Sequence, residues 1–407
     1  MIRSMTALIL LLLAAPQQPA QPWIGTWATA PAGVAGAPEQ FRDETLRLIV
    51  RTSAGGRRVR IRIANTFGSE PLAIGAAHVA RRATGARIAA GTDRVVTFGA
   101  QPSTMVPRGG LVVSDPIALD VAPLSELAVS LYLPVATAES TTHVTALQTN
   151  YVSRAGDHTA SVAFDVARTI TRWPFLAGVD VEGTAESAAI VTLGDSITDG
   201  ANSTTDANKR WPDLLAARLQ QRPDLRRLSV LNQGIIGNRI LHPSETQFGN
   251  LFGPSGLVRF DRDVLAQPGV RFLIVLLGIN DIGHPGSAAP ANEDVSAENI
   301  AGGYRQFIER AREKGIRVFG ATLLPFEDTT IAGFHSPDKE VKRQAVNLWI
   351  RTSGAFDGVI DFDKATRDPA RPSRLLPAHD SGDHLHPNDA GMAAMANAIP
   401  LELFRVR

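Results

Sequence analysis

The 407-residue sequence has no cysteine. That excludes disulfides, thiolate metal sites, a cysteine nucleophile and a lipid-modified cysteine. It has no dominant charge: 41 Lys and Arg face 40 Asp and Glu, a net charge of +1. Nothing in that balance draws the chain to nucleic acid or another polyanion. No apolar run approaches the ~20 residues of a membrane span. There is no Gly-x-Gly-x-x-Gly, no phosphate-binding loop and no His-Glu-x-x-His, so common nucleotide and zinc-protease readings lack their signatures. Internal repeats and low-complexity tracts are also missing.

What is present starts with a leader-like segment. Arg3 precedes an apolar run from Met5 to Ala15, and Pro16-Gln-Gln-Pro-Ala-Gln follows. A short positive start, an apolar stretch and small residues read as a secretory signal over residues 1–20, with the cut between Ala15 and Ala20. The mature protein is then expected in the periplasm or secreted, with no integral membrane span. Hydrophobic residues make up 44% and charged residues 20%, a globular balance. The length exceeds one ordinary core, so two domains are expected.

Residues 23–181 read as β-structure. In "VRIRIANTF", Val59, Ile61 and Ile63 alternate with Arg60 and Arg62; in "LAVSLYLP", Leu127, Val129, Leu131 and Leu133 alternate with Ala128, Ser130 and Tyr132. A period of two predicts one buried and one wet face. With recurrent turns at Ala54-Gly-Gly, Arg108-Gly-Gly and Ser114-Asp-Pro, a β-sandwich or jelly-roll-like domain is expected. After "VEGTAESAA" (181–189) the pattern changes. Continuous apolar runs, "AAIVTLG", "LSVLN", "RFLIVLLG", "IRVFGATLL" and "GVIDF", alternate with helical patterns. Such runs suit parallel strands buried on both faces. Residues 188–407 should therefore form an α/β/α domain with right-handed crossovers. Two of its helices carry end signals: Gly315 as a C-cap, and Ser336-Pro337 as N-cap and first residue.

In such a sheet the site lies beyond the carboxyl ends of the strands. Four polar, glycine-marked loops fall there: Gly194-Asp195-Ser196, "NQGIIGN" (232–238), "GIND" (278–281) and "GDHLHPND" (382–389). Together they contain what ester cleavage requires. A serine hydroxyl needs a base within hydrogen-bond reach. Histidine can accept that proton near neutral pH, and a carboxylate fixes its tautomer. The developing oxyanion needs donors placed in advance, for which the N–H groups of Ser196 and Gly237 and the Asn280 amide are candidates.

These blocks, in this order, resemble those of the SGNH hydrolases, also called GDSL esterases. The resemblance covers residues 188–407, and the upstream "WIGTWATAP" and "VRIRIANTFG" are similar to the β-domain of longer two-domain bacterial members. It implies a flavodoxin-like fold, no cofactor and no metal, with Ser196 as nucleophile, Gly237 and Asn280 in the oxyanion hole, and Asp383 and His386 completing the triad. Ile197 stands where the family often has leucine. Of the two neighbouring histidines, His386 is the expected base: it lies three residues after Asp383, and Pro387 restricts its backbone. His384 is expected to be structural or solvent-facing. The implied substrate is a small-molecule or carbohydrate ester. Two loops, 242–256 and 284–299, are polar and lack an extended apolar lid, which favours short acyl chains.

Other readings make different demands. A Gly-x-Ser-x-Gly elbow is ruled out by Thr198. A zinc site would use His379, Asp380, Asp383, His384, His386 and Asp389, but would leave Ser196, Gly237 and Asn280 without a role. A carbohydrate-binding protein would expose Trp23, Trp27 and Trp173 to sugar rings. Acyl transfer to an alcohol, as in an acyltransferase, would use the same residues as hydrolysis.

Overall fold

The computed structural model describes residues 21–243 and 249–405. The expected leader, residues 1–20, lies outside the described residues. Among the described residues no helix is long and apolar enough to cross a membrane.

The first half is built from strands β1 (Trp23–Ala28), β2 (Glu44–Arg51), β3 (Gly56–Ala64), β4 (Ala76–Thr84), β5 (Leu111–Val113), β6 (Ile117–Val121), β7 (Glu126–Leu133), β8 (Asn150–Ala155), β9 (Val166–Ile170) and β10 (Leu176–Glu182), with shorter strands between them. One antiparallel sheet runs β1-β10-β3-β5, with β6 also on β3; another runs β9-β8-β2-β7-β4. Val59, Ile61 and Ile63 of β3 and Leu127, Val129 and Leu131 of β7 enter one shared core, as the alternation predicts. The expected wet face of β7 does not exist, because Ala128 and Ser130 are buried too. The cause is Arg47, fully buried, whose Nε donates to Ser130 Oγ at 2.9 Å. Its guanidinium also donates to the carbonyls of Ala86, Ser161 and Thr159 and lies 4.3 Å from the Phe164 ring centre. A loop thus folds over this face and seals it with Ala128, Tyr151 and Phe164.

Gly183–Ser187 connects β10 to the second half. There β11 (Ala188–Gly194), β12 (Leu228–Gly234), β13 (Val270–Leu276), β14 (Arg317–Ala321) and β15 (Gly358–Ile360) form one parallel sheet in the order β12-β11-β13-β14-β15. Every residue of β11 is buried, as a central parallel strand requires. The helices are α1 (Ser196–Asp199), α2 (Trp211–Gln220), α3 (Gly256–Phe260), α4 (Ile279–Gly283), α5 (Ala297–Arg312), α6 (Pro337–Thr352), α7 (Phe362–Thr366) and α8 (Asp389–Ala398). Ser336 caps α6 by accepting from Lys339 N–H, as expected. The end of α5 differs from expectation: its C-cap is Glu313. Gly315 follows two residues later at φ +70°, where the chain turns so that Ile316 N–H reaches Ala311 O.

The strand order matters for the site. It is a doubly wound order that reverses between β11 and β13, and such reversals open a crevice at the carboxyl edge. Register places Gly194 opposite both Gly234 and Leu276, so the loops leaving β11, β12 and β13 start side by side. The two halves are bonded to each other: Val230 N–H donates to Ser53 Oγ at 3.0 Å, and Gln220 Nε2 donates to Ser53 O at 3.0 Å.

Candidate active site

The chain turns sharply at the end of β11. A Cβ on Gly194 would sit 2.1 Å from Thr198 Oγ1 and 2.6 Å from Leu276 O, so no side chain fits. Asp195 caps α1: its Oδ1 accepts from Ile197 N–H at 3.0 Å. Burial pushes the Asp195 carboxyl up to about 7; the Ile197 N–H and the charges of His386 and Arg259 pull against it only in part. Ser196 is the first residue of α1, and its N–H is one of the donors that a helix start leaves without an intrahelical acceptor.

Ser196 meets residues from the other end of the domain. Its Oγ lies 2.8 Å from His386 Nε2, and His386 Nδ1 lies 2.6 Å from Asp383 Oδ2. A carboxylate only accepts, so Nδ1 carries the proton and Nε2 presents its lone pair to the serine hydroxyl. Asp383 is held in turn. The N–H groups of Leu385 and His386 donate to Oδ1 at 3.0 and 2.8 Å, Ser381 Oγ donates to Oδ1 at 3.0 Å, and Asn202 Nδ2 donates to Oδ2 at 2.9 Å. Burial pushes its carboxyl up, but the bonds and charge of His386 outweigh that and hold it well below the usual carboxylate range. His384 takes a different place. Its backbone is left-handed, φ +59°, and its Nδ1 pairs with Asp380 Oδ2 at 2.5 Å.

The third and fourth expected residues converge on the same edge. Gly237 has φ +69° in a turn closed by Asn238 N–H to Ile235 O at 3.1 Å. Among the described residues its own N–H has no acceptor. A Cβ here would lie 2.4 Å from the Phe252 ring, so both conformation and space demand glycine. Asn280, in α4, donates one amide hydrogen to Asn238 O at 3.0 Å, which leaves the other for a ligand. Asp281 beside it accepts from Ile240 and Leu241 N–H at 2.8 and 3.0 Å. Burial pushes Asp281 up to about 6 against those two bonds.

Several supports were not read from the sequence. Arg259 is the chief one. Fully buried, it donates to Gly194 O, Gln233 O and Asn238 Oδ1 at 2.8, 2.8 and 2.9 Å. One guanidinium therefore ties the loop that carries Ser196 to the loop that carries Gly237. Asp263, four residues on, pairs with it at 3.1 Å. The Arg-x-x-x-Asp spacing in "LVRFDRD" is compatible with such a pair but does not mark it as buried. Asn202, Asn238 and Asp281 lay in or beside quoted motifs but carried no distinguishing pattern.

The competing arrangements dissolve in the fold. The acidic and histidine residues of 379–389 are parted: Asp380 pairs with His384, Asp383 with His386, and Asp389 accepts from Thr204 N–H and Oγ1 at 2.8 and 2.7 Å. Among the described residues no group of three or more such side chains is placed to hold a metal ion. The tryptophans do not form an open platform. Trp173 is buried, donates to Ile49 O at 2.9 Å and meets Trp27 edge-on at 4.9 Å. Trp23 is covered by Arg60, 4.5 Å from its ring centre.

Residues 192–394 match the model of the GDSL-like lipase/acylhydrolase family. No curated protein matches the chain. Among solved structures, an acetylxylan esterase from Geobacillus stearothermophilus, in a catalytic mutant, is similar at 19% identity over 55% of this chain and 99% of that one, with a TM-score of 0.40. A GDSL-like lipase from Bacteroides thetaiotaomicron is 19% identical over 53% of this chain and 87% of its own, TM-score 0.38. An alpha/beta hydrolase from the metagenome of Lake Arreo is 22% identical over 53% and 95%, TM-score 0.39.

Proposed function

Because residues 192–394 belong to the GDSL-like lipase/acylhydrolase family, we propose that the chain is a serine esterase acting on short-chain carboxylic esters through Ser196, His386 and Asp383. The observation that carries this is the unbroken bond sequence from Ser196 Oγ to His386 to Asp383. Ser196 Oγ attacks the ester carbonyl carbon as its proton passes to His386 Nε2. The carbonyl oxygen becomes an anion facing the N–H groups of Ser196 and Gly237 and the Asn280 amide. Collapse breaks the ester C–O bond, and His386 returns the proton to the leaving alcohol. Water then repeats the sequence on the acyl-serine, releasing the acid and restoring Ser196. Asp383 stays ionised throughout, which its depressed pKa supports. A fluorophosphonate should label Ser196 and stop hydrolysis of p-nitrophenyl acetate. Labelling elsewhere, or hydrolysis by Ser196→Ala, would overturn the reading.

The short acyl preference follows from the wall beside Gly237. Phe252 packs against that glycine, His284 lies tilted against Phe252 with ring centres 5.4 Å apart, and Phe334 meets His284 edge-on at 5.8 Å. Burial, with Arg239 and Lys339 nearby, drives His284 down to about 3, so this wall is uncharged at neutral pH. Phe252→Ala should raise kcat/KM for hexanoate relative to acetate esters by ~10-fold, since a few methylenes are worth that much in an apolar pocket. An unchanged chain-length profile would place the acyl group elsewhere. Asn280→Ala should lower kcat by ~10²–10³ with little change in KM, because the donor acts mainly in the transition state. A raised KM with kcat intact would make Asn280 a binding residue. The proposal includes an N-terminal β-sandwich, residues 23–181, joined to the hydrolase domain, residues 188–407, and export to the periplasm or medium directed by residues 1–20.

A further inference from the structure

The nucleophile helix is gripped from the other half of the chain. His143 belongs to the segment between β7 and β8, and its backbone is fixed by two bonds with Trp173: His143 N–H to Trp173 O at 3.1 Å and Trp173 N–H to His143 O at 3.0 Å. Its ring reaches across the junction. Nε2 lies 2.8 Å from Asp199 Oδ1, and Nδ1 lies 3.0 Å from Ala30 O. Both side chains are almost completely buried, 5% and 3% exposed. Asp199 ends α1, the helix that Ser196 begins, and Gly200 and Ala201 N–H close back on Ser196 O at 2.9 Å. The same junction holds Arg210, whose Nε donates to Asp199 O at 2.7 Å and whose Nη2 donates to Ala146 O.

The bonds fix how many protons the pair holds. A backbone carbonyl only accepts, so His143 Nδ1 must carry hydrogen. Nε2 then either carries a second hydrogen and donates to a carboxylate, or accepts one from a protonated Asp199. Both forms contain one proton more than a neutral imidazole beside a carboxylate. The charged or titratable groups around the pair are Arg210, Arg51 and Asp213, which line the cavity beside it, and Arg259, whose charge interacts with Asp199.

We propose that His143 is a positioning residue of the esterase: through its buried Nε2 hydrogen bond to Asp199 it locks α1 and so sets the aim of Ser196 Oγ and N–H. This rests on the serine-esterase reading above. The β-rich half is thereby part of the working site, without touching substrate. In the full chain, His143→Ala should lower kcat up to ~100-fold, with KM within about twofold, because small misplacement of a nucleophile costs rate and not ground-state binding. Asp199→Asn is the discriminating variant. Its amide donates to a neutral Nε2 and keeps the bond without the extra proton, so kcat should stay within about threefold of wild type. Full kcat in folded His143→Ala, or a kcat in folded Asp199→Asn as low as that of His143→Ala, would overturn the proposal. Ser196→Ala run alongside separates the two questions. If it is inactive while the junction variants behave as wild type, only this inference fails; if it stays active, the esterase reading fails first.

Discussion

His386→Ala should lower kcat by at least ~10³-fold, while His384→Ala keeps most of its activity, measured on p-nitrophenyl acetate with folding confirmed by circular dichroism. The two rings sit on one short loop, and each has a carboxylate on Nδ1. What separates them is the other nitrogen. His386 Nε2 faces Ser196 Oγ at 2.8 Å, and its ring is 13% exposed against 45% for His384. Deleting the His386 ring removes the group that, among the described residues, stands within hydrogen-bond reach of Ser196 Oγ to take its proton. Deleting the His384 ring removes a partly exposed contact with Asp380, worth about 1 kcal/mol at most. An active His386→Ala protein beside a dead His384→Ala protein would reverse the assignment.

Arg259→Met should destabilise the folded protein by about 3–5 kcal/mol, because three buried acceptors lose their donor at about 1–3 kcal/mol each. Methionine fills similar space but donates nothing. Gly194 O, Gln233 O and Asn238 Oδ1 lose their donor in a region closed to water. Asp263 keeps Arg262, at 2.5 Å, so the main loss falls on those three acceptors and on the loops they hold. Arg259→Lys should be nearly as damaging, because an ammonium cannot span three acceptors in a fork. Thermal unfolding of the full chain tests this at ~2–4 °C per kcal/mol for a domain of this size. A melting point within about 2 °C of wild type would mean that the guanidinium holds nothing that matters.

The sequence made some of this visible for clear reasons. The α/β half was legible because central parallel strands are apolar on both faces, and Ala188–Gly194 is apolar but for Thr192. Ser196, Gly237 and Asn280 stood out because each follows a strand in a polar block, whereas Asp383 and His386 were named by the family resemblance, since α7 and a further turn separate them from β15. The face of β7 was misread because Arg47, eighty-three residues away from Ser130, makes a polar position internal; alternation sees only neighbours. His143 carried no local pattern for the same reason. Its partners Ala30 and Asp199 are 113 and 56 residues distant, and only the packing of one half on the other brings them together.

The Ser196–His386 bond spans 190 positions of the chain. Synthesis runs from the N-terminus at ~5–20 residues per second, so Ser196, Gly237 and Asn280 all emerge before the loop bearing His386. A growing polypeptide therefore holds the nucleophile and the oxyanion donors for some seconds with no base. Closure of this long-range contact is the moment at which the proposed chemistry becomes available. On the esterase reading, a chain ended before His386 should leave p-nitrophenyl acetate unhydrolysed, whatever else it has folded.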